Sequence, residues 1–375
     1  VGKVLVVDDS ALMRKLIGSV LGEAGWEVHT ARNGAQGVEQ LLAVEPDVVT
    51  LDINMPEMDG LTALSLMMAA RPTPVVMVSS LTEQGALATF EALALGAVDF
   101  IAKPGGTISL HVDDIRAQLV EKVAAAARSR AGARAPRRAA AAPVPAAAPA
   151  PAPAPRPTSV RTFGAASTAM AAARPAAPVA AGADQVGGVV LIGVSTGGPR
   201  TLEDILPALP ADFPWPVLVA QHMPPQFTEA FARRMDALCA LRVSEVAAPV
   251  ALEAGRVYVA RAGTDLALSR RLGRLYAVPK PEAAGMHWHP SVEVLVDSAL
   301  QVLEPQRIVG VMLTGMGHDG ADAMTRLKRA GGRTIAESED TCVVFGMPQE
   351  LIQRGGASLV LPCTAIAAQL RHWLR

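Results

Sequence analysis

Three side chains far apart in the chain have the types needed for one hydrolytic site. Ser195 follows the apolar run 189–194 in VVLIGVSTGGPR, His222 follows PVLVAQ, and Asp319 lies in LTGMGHDG, just after the apolar run IVGVM. A serine hydroxyl is a weak nucleophile until a base takes its proton. That base, when it is an imidazole, needs an acid that fixes its tautomer and stabilises the imidazolium. A second constellation is acidic. Asp8 and Asp9 follow the run 4–7, Asp52 follows 48–51, and Ser79 and Lys103 stand at the ends of two further apolar runs. Three carboxylates brought together repel one another unless a cation sits among them, and hard oxygen ligands suit Mg²⁺. A lysine in the same place adds positive charge for a phosphoryl group.

All these residues stand at the ends of strand-like runs, and the runs alternate with helical patterns. That alternation predicts α/β domains, each a doubly wound parallel sheet with helices on both faces. In such sheets ligands gather beyond the carboxyl ends of the strands. In the first part strands are expected at 4–7, 26–30, 48–51, up to Ser79 and up to Lys103, with helices at 11–23 and 34–44. In the second they are expected at 189–194, 217–220 and 308–313; continuous apolar runs of this kind suit strands buried on both faces. The glycines of Ser-Thr-Gly-Gly-Pro permit a sharp reversal, and Pro199 suits a first helical turn. Ser195 therefore projects from a tight strand-to-helix turn, beside backbone N–H groups. Such a turn serves a nucleophile or a phosphate. GVSTGG lacks the G-x-G-x-x-G order, and where a dinucleotide fold places an acid about twenty residues on, a histidine stands instead. In one parallel sheet Ser195, His222 and Asp319 converge across gaps of 27 and 97 residues.

Plainer readings exist for each. His222 could be a satisfied polar residue at a strand end, and Asp319 could cap the helix ADAMTRLKRA. His287, His289 and His318 are rival bases. If HWH (287–289) is extended, two imidazoles share a face, and with His222 or Asp319 they could hold a metal. Cys239, Cys342 and Cys363 are widely spaced with no CxxC, as in reduced, buried thiols of a cytosolic protein.

Half of the 375 residues are apolar, enough for sizeable cores, and the net charge of −1 gives no overall footprint for nucleic acid. No apolar run reaches membrane-spanning length and the first residues lack a signal-peptide pattern, so a cytoplasmic location without membrane insertion is expected. Residues 131–185 carry ten prolines among alanines, and six arginines (Arg134, Arg137, Arg138, Arg156, Arg161, Arg174) against one acid, Asp184. They read as a semi-extended, disordered tether, or alternatively as a dock for an acidic partner or membrane surface. The expected division is a first domain at 1–123, a linker at 124–186 and a second domain at 187–375.

The first domain resembles a two-component response-regulator receiver, which implies a flavodoxin-like sheet. The resemblance implies that Asp52 accepts a phosphoryl group from a sensor histidine kinase. It also implies that Asp8, Asp9, Asp52 and the Asn54 carbonyl hold Mg²⁺, and that Ser79, Phe100 and Lys103 (followed by Pro104) form the switch. Residues 187 to about 370 are similar to the catalytic domain of chemotaxis protein-glutamate methylesterases, through IGVSTGGP, QHMPPQFT, HPSVEVL, LTGMGHDGA and CVVFGMP. This second resemblance implies a Rossmann-like domain with Ser195 as nucleophile, His222 as base and Asp319 as orienting acid, and an oxyanion hole from the Thr196 and Met316 N–H groups. It implies hydrolysis of glutamate γ-methyl esters on methyl-accepting chemoreceptors, with glutamine deamidation as a second activity and no cofactor for the ester step. It further implies that the unphosphorylated receiver packs over the catalytic edge. Three features depart from the family: Glu293 stands where aspartate is usual, PEAAGMHWHP is divergent, and the linker is longer. The alternative function is a phosphorylation-controlled nucleotide-binding or interaction module without hydrolase activity.

Overall fold

Continuous Val/Leu runs become central strands because both faces of each sheet are covered. In the computed structural model, which describes residues 2–80, 82–103, 112–129 and 186–374, β1 (Lys3–Val7), β2 (Glu27–Ala31), β3 (Val48–Asp52), β4 (Val75–Ser79) and β5 (Asp99–Ala102) pair in parallel in the order β2-β1-β3-β4-β5. Val4 to Val7 and Val75 to Val78 are almost completely buried. β2, at the sheet edge, is half-exposed and starts one residue later than its weak pattern suggests. Helices α1 (Ala11–Glu23), α2 (Gly34–Val44), α3 (Gly60–Ala70) and α4 (Glu83–Leu95) each begin at a side-chain cap. Ser10, Asn33, Asp59 and Thr82 accept from the N–H groups of Met13, Gln36, Thr62 and Gly85, which satisfies donors a helix start leaves orphaned. α5 (Val112–Arg128) continues five residues past 123, into the stretch read as linker. Pro104 and residues 130–185, which hold the rest of the expected tether, lie outside the described residues.

The second sheet is parallel and seven-stranded. It comprises β6 (Val189–Val194), β7 (Val217–Gln221), β8 (Arg242–Val246), β10 (Arg256–Ala260), β13 (Ile308–Met312), β14 (Arg333–Glu337) and β15 (Leu359–Leu361), in the order β15-β14-β13-β6-β7-β10-β8. A small antiparallel sheet of β9 (Val250–Ala251), β11 (Asp265–Arg271) and β12 (Arg274–Lys280) stands beside it. The chain runs outward from β6 to β7 and the edge strand β8, turns back to β10 between β7 and β8, then crosses to β13 on the other side of β6. β6 is thus the strand at which the winding reverses, and a crevice at the carboxyl ends opens at such a point. The helices that matter to it are α6 (Gly198–Ile205), α7 (Phe227–Leu238), α8 (Val292–Val302) and α9 (Ala321–Arg329).

Aromatic side chains join the two halves. Phe100, from β5, stacks on Phe227 at the start of α7 with ring centroids 4.6 Å apart. Phe90, from α4, meets Phe227 at 6.4 Å and Phe231 at 5.6 Å. All four rings are buried, each stabilising the contact by about 1.5–3 kcal/mol if fully withdrawn from water. Val343 packs against the core of the first domain through the cluster that includes Leu119 and Val123.

Candidate active site

β6, β7 and β13 are neighbours, so their ends share one rim. Ser195 follows β6, His222 follows β7, and Asp319 lies on the loop after β13; each is at most 9% exposed. The Ser195 N–H donates to Thr314 O at 3.0 Å and the His222 N–H to Val194 O at 3.0 Å. Gln221, the last residue of β7, ties the serine and histidine backbones together. Its Nε2 donates to Ser195 O at 2.9 Å and to His222 O at 3.0 Å.

His222 and Asp319 are in direct contact, with Nε2 2.9 Å from Asp319 Oδ2. A carboxylate only accepts, so Nε2 carries the proton and Nδ1 is the basic nitrogen. Nδ1 is buried and, among the described residues, has no hydrogen-bond partner. The ring edges are exchanged relative to the usual Ser-His-Asp template, where Nδ1 faces the acid. Ser195 Oγ is not hydrogen-bonded to the ring; that contact often closes only with substrate present.

Asp319 does not cap α9, the simpler expectation for it. The N-cap of α9 is Gly320, which makes no side-chain cap. The carboxylate instead faces the start of α8: it accepts from Ser291 Oγ at 2.9 Å, Val292 N–H at 2.6 Å and Glu293 N–H at 3.1 Å. Burial alone would raise the Asp319 pKa. The hydrogen bond and charge of His222, with the N–H groups of Val292 and Glu293, outweigh it and hold the carboxyl below its ordinary value. The approach of α8 is possible because Gly320 has φ +82° and no side chain; a Cβ there would lie 2.3 Å from Val292 Cγ1.

The rival histidines separate cleanly. His287 and His318 are exposed. His289 Nδ1 lies 3.1 Å from the buried Asp265 carboxylate, which also accepts from the N–H groups of Ala283 and Ser291. HWH is not a strand, and the metal reading of it fails because its three side chains go to solvent, to the His222 ring and to Asp265.

Three supporting residues escaped the sequence reading. Glu337, fully buried at the end of β14, accepts from Thr314 N–H at 2.8 Å. Thr314 Oγ1 donates to Thr196 O at 2.9 Å and accepts from Val343 N–H at 3.1 Å. Gln221 is the third. A polar residue ending an apolar strand was the one cue available for Glu337 and Gln221. Among the described residues, neither Thr196 nor Met316 N–H donates to a backbone oxygen.

In the first domain, Asp8, Asp9 and Asp52 bring carboxylate oxygens within 4.8 Å of one another. Lys103 Nζ lies 2.7 Å from Asp52 Oδ2 and 3.1 Å from Asp8 Oδ2; both oxygens are buried and otherwise unpartnered. Burial raises the Asp52 carboxyl against the pull of Lys103. The Asn54 N–H lies 3.4 Å from Asp52 Oδ1. Ser79 Oγ is turned to Gly85 O at 3.1 Å, and Phe100 is held inward against Phe227.

The comparisons with known proteins divide the chain where the two sheets do. Residues 4–113 match the response regulator receiver domain and residues 190–370 match the CheB methylesterase domain. The class defined is thus a receiver joined to an α/β catalytic domain. Over 99% of its length the chain is 52% identical to protein-glutamate methylesterase/protein-glutamine glutaminase 3 of Rhodospirillum rubrum, covering 96% of that protein. It is 50% identical over 99% to protein-glutamate methylesterase/protein-glutamine glutaminase 2 of Rhodopseudomonas palustris, covering 98%. A third relative, from Carboxydothermus hydrogenoformans, is 46% identical over the full chain and is covered to 99%. The chain belongs to the CheB methylesterase family, with an N-terminal receiver domain.

Proposed function

We propose that the protein is a phosphorylation-controlled serine esterase that removes methyl groups from glutamate γ-methyl esters of chemoreceptors, releasing methanol. One observation carries the mechanism: a buried imidazole whose Nε2 is anchored to an ionised aspartate and whose Nδ1 is left basic and unpartnered at the same sheet rim as a serine. Ser195 Oγ turns to Nδ1, gives up its proton and attacks the ester carbonyl. Thr196 and Met316 N–H groups take the oxyanion; losing one such donor typically costs about 3 kcal/mol. His222 then protonates the departing methanol, and a water activated by the same nitrogen frees the glutamate. Attack on a glutamine side chain would give deamidation by the same steps, against a poorer leaving group.

Control rests in the receiver. Asp8, Asp9 and Asp52, with the Asn54 carbonyl, suit a divalent cation, because among the described residues two buried carboxylate oxygens have only Lys103 as a partner. Mg²⁺ bound there would supply charge neutralisation for an incoming phosphoryl group. Asp52 accepts that group from a sensor kinase, Lys103 shifts to it, and Ser79 Oγ leaves Gly85 O to bond it. Phe100 then loses its fixed position against Phe227. We place the protein in the cytoplasm; among the described residues no helix is long and apolar enough to cross a membrane. The domain limits we propose are 1–128, which keeps α5 whole, in place of the expected 1–123, and 187–375 as expected.

The test is methanol release from methylated receptor by wild type, His222→Ala and Asp52→Asn, with and without a small-molecule phosphodonor. Wild type should be stimulated, Asp52→Asn should stay at the unstimulated rate, and His222→Ala should release nothing above background. Undiminished release by His222→Ala would overturn the mechanism.

A further inference from the structure

The esterase reading leaves Trp288 without a role, although its indole lies flat against the imidazole assigned as the base. The ring centroids of His222 and Trp288 are 5.0 Å apart and the planes are inclined by 7°, an offset stack of the favourable kind. On that reading of Ser195, His222 and Asp319, we infer that Trp288 is a positioning residue for the ester hydrolysis: it holds the plane of the His222 ring and supports its positive charge during turnover.

Geometry gives the reason. The bond from Nε2 to Asp319 fixes one corner of the ring but leaves it free to swing about its own Cβ–Cγ bond. Nδ1 has no hydrogen bond of its own to stop that swing. A parallel indole stops it, because any tilt of the imidazole drives ring atoms into the indole face. The indole is itself confined. On one side is His222; on another is the Gly317 turn, where an added Cβ would stand 3.7 Å from indole Nε1. Asp265 pins the segment that carries it through His289 Nδ1 at 3.1 Å and the N–H groups of Ser291 and Ala283 at 2.8 Å. The same short segment then presents Ser291, Val292 and Glu293 to Asp319. One stretch of chain therefore sets both the acid and the plane of the base.

Chemistry gives a second reason. His222 carries a proton transiently in each half of the reaction, and an imidazolium is attracted to the electron-rich face of an indole. The stack is thus tighter in the protonated transition states than in the resting enzyme, which places its effect in kcat.

The experiment uses the full-length chain, phosphodonor and methylated receptor, with Trp288→Leu, Trp288→Phe and His222→Ala. Leucine keeps bulk and loses the flat face; phenylalanine keeps the face. Trp288→Leu should lower kcat about tenfold with KM nearly unchanged, and Trp288→Phe should recover most of that loss. Thermal melts of both variants should match wild type closely, which excludes a simple folding defect. Wild-type kcat in Trp288→Leu, a loss confined to KM, or equal kcat losses in the two variants would overturn the inference. Full activity in His222→Ala would instead remove the esterase reading beneath it, so the two failures are distinguishable.

Discussion

Asp319 does more at this site than orient a histidine. Its carboxylate takes four donors, three of them at the start of α8, and charge-assisted bonds of this sort each contribute roughly 1.5–3 kcal/mol. Asp319→Asn is expected to cut kcat about 10³–10⁴-fold, because an amide no longer imposes the Nε2–H tautomer; steady-state methanol release checks this. The same residue gives a pH prediction. Its carboxyl is held below the ordinary value of 3.8 in the folded state, so the unfolded chain binds its proton first as pH falls. The stability it contributes is complete above 3.8 and disappears as pH drops through the lowered folded value. Urea denaturation of wild type and Asp319→Asn should show a gap at neutral pH that closes toward acid. Cys239 supplies a plainer check: burial pushes its thiol up to about 12, so thiol reagents should reach it in denaturant and not in the native protein at pH 7.

The turn from β6 into α6 that carries Ser195 is sharp, and Gly197 permits it with φ +76°. A Cβ at Gly197 would fall 2.5 Å from Val343 Cβ. Gly197→Ala combines a left-handed backbone penalty of roughly 1–2 kcal/mol with that overlap. It should lower unfolding stability by more than about 2 kcal/mol and reduce kcat at least tenfold, read by urea titration and turnover. The strands themselves were legible because buried parallel strands are uninterrupted apolar runs, and a polar residue after each run marks the sheet's carboxyl rim. Ser195, His222 and Asp319 stood out for that reason. The support around them was not legible. Three of the four donors to Asp319 come from residues 291–293, 26 to 28 positions earlier, brought there by close packing of Val292 against Gly193 and Gly320. Trp288 sits in an irregular segment shaped by Asp265, and no periodicity announces where such a ring will lie.

At the scale of the molecule, the contact between the halves is aromatic and passes through the residue expected to switch. Phe100 stacks on Phe227, which begins α7 five residues after His222. Burial also holds the Glu121 carboxyl of α5 above its ordinary value, against the pull of the neighbouring Lys122 charge. The resemblance implied a docked receiver but not which residues dock it, since Phe90, Phe100, Phe227 and Phe231 belong to different domains and each reads locally as core. Loosening it should release the catalytic domain without phosphorylation. Phe90→Ala removes the ring that bridges Phe100, Phe227 and Phe231. Its unphosphorylated rate should rise about tenfold, as the loss of one buried aromatic contact of roughly 1.5 kcal/mol implies, while the phosphorylated rate stays near wild type.

Ser195 Oγ is proposed as the nucleophile, and mass spectrometry of the enzyme quenched during turnover on methylated receptor peptide reads that role directly. A peptide-acyl adduct is expected on the fragment bearing Ser195, formed in wild type and absent from Ser195→Ala, which also releases no methanol. An adduct on another residue, or sustained methanol release by Ser195→Ala, would contradict it.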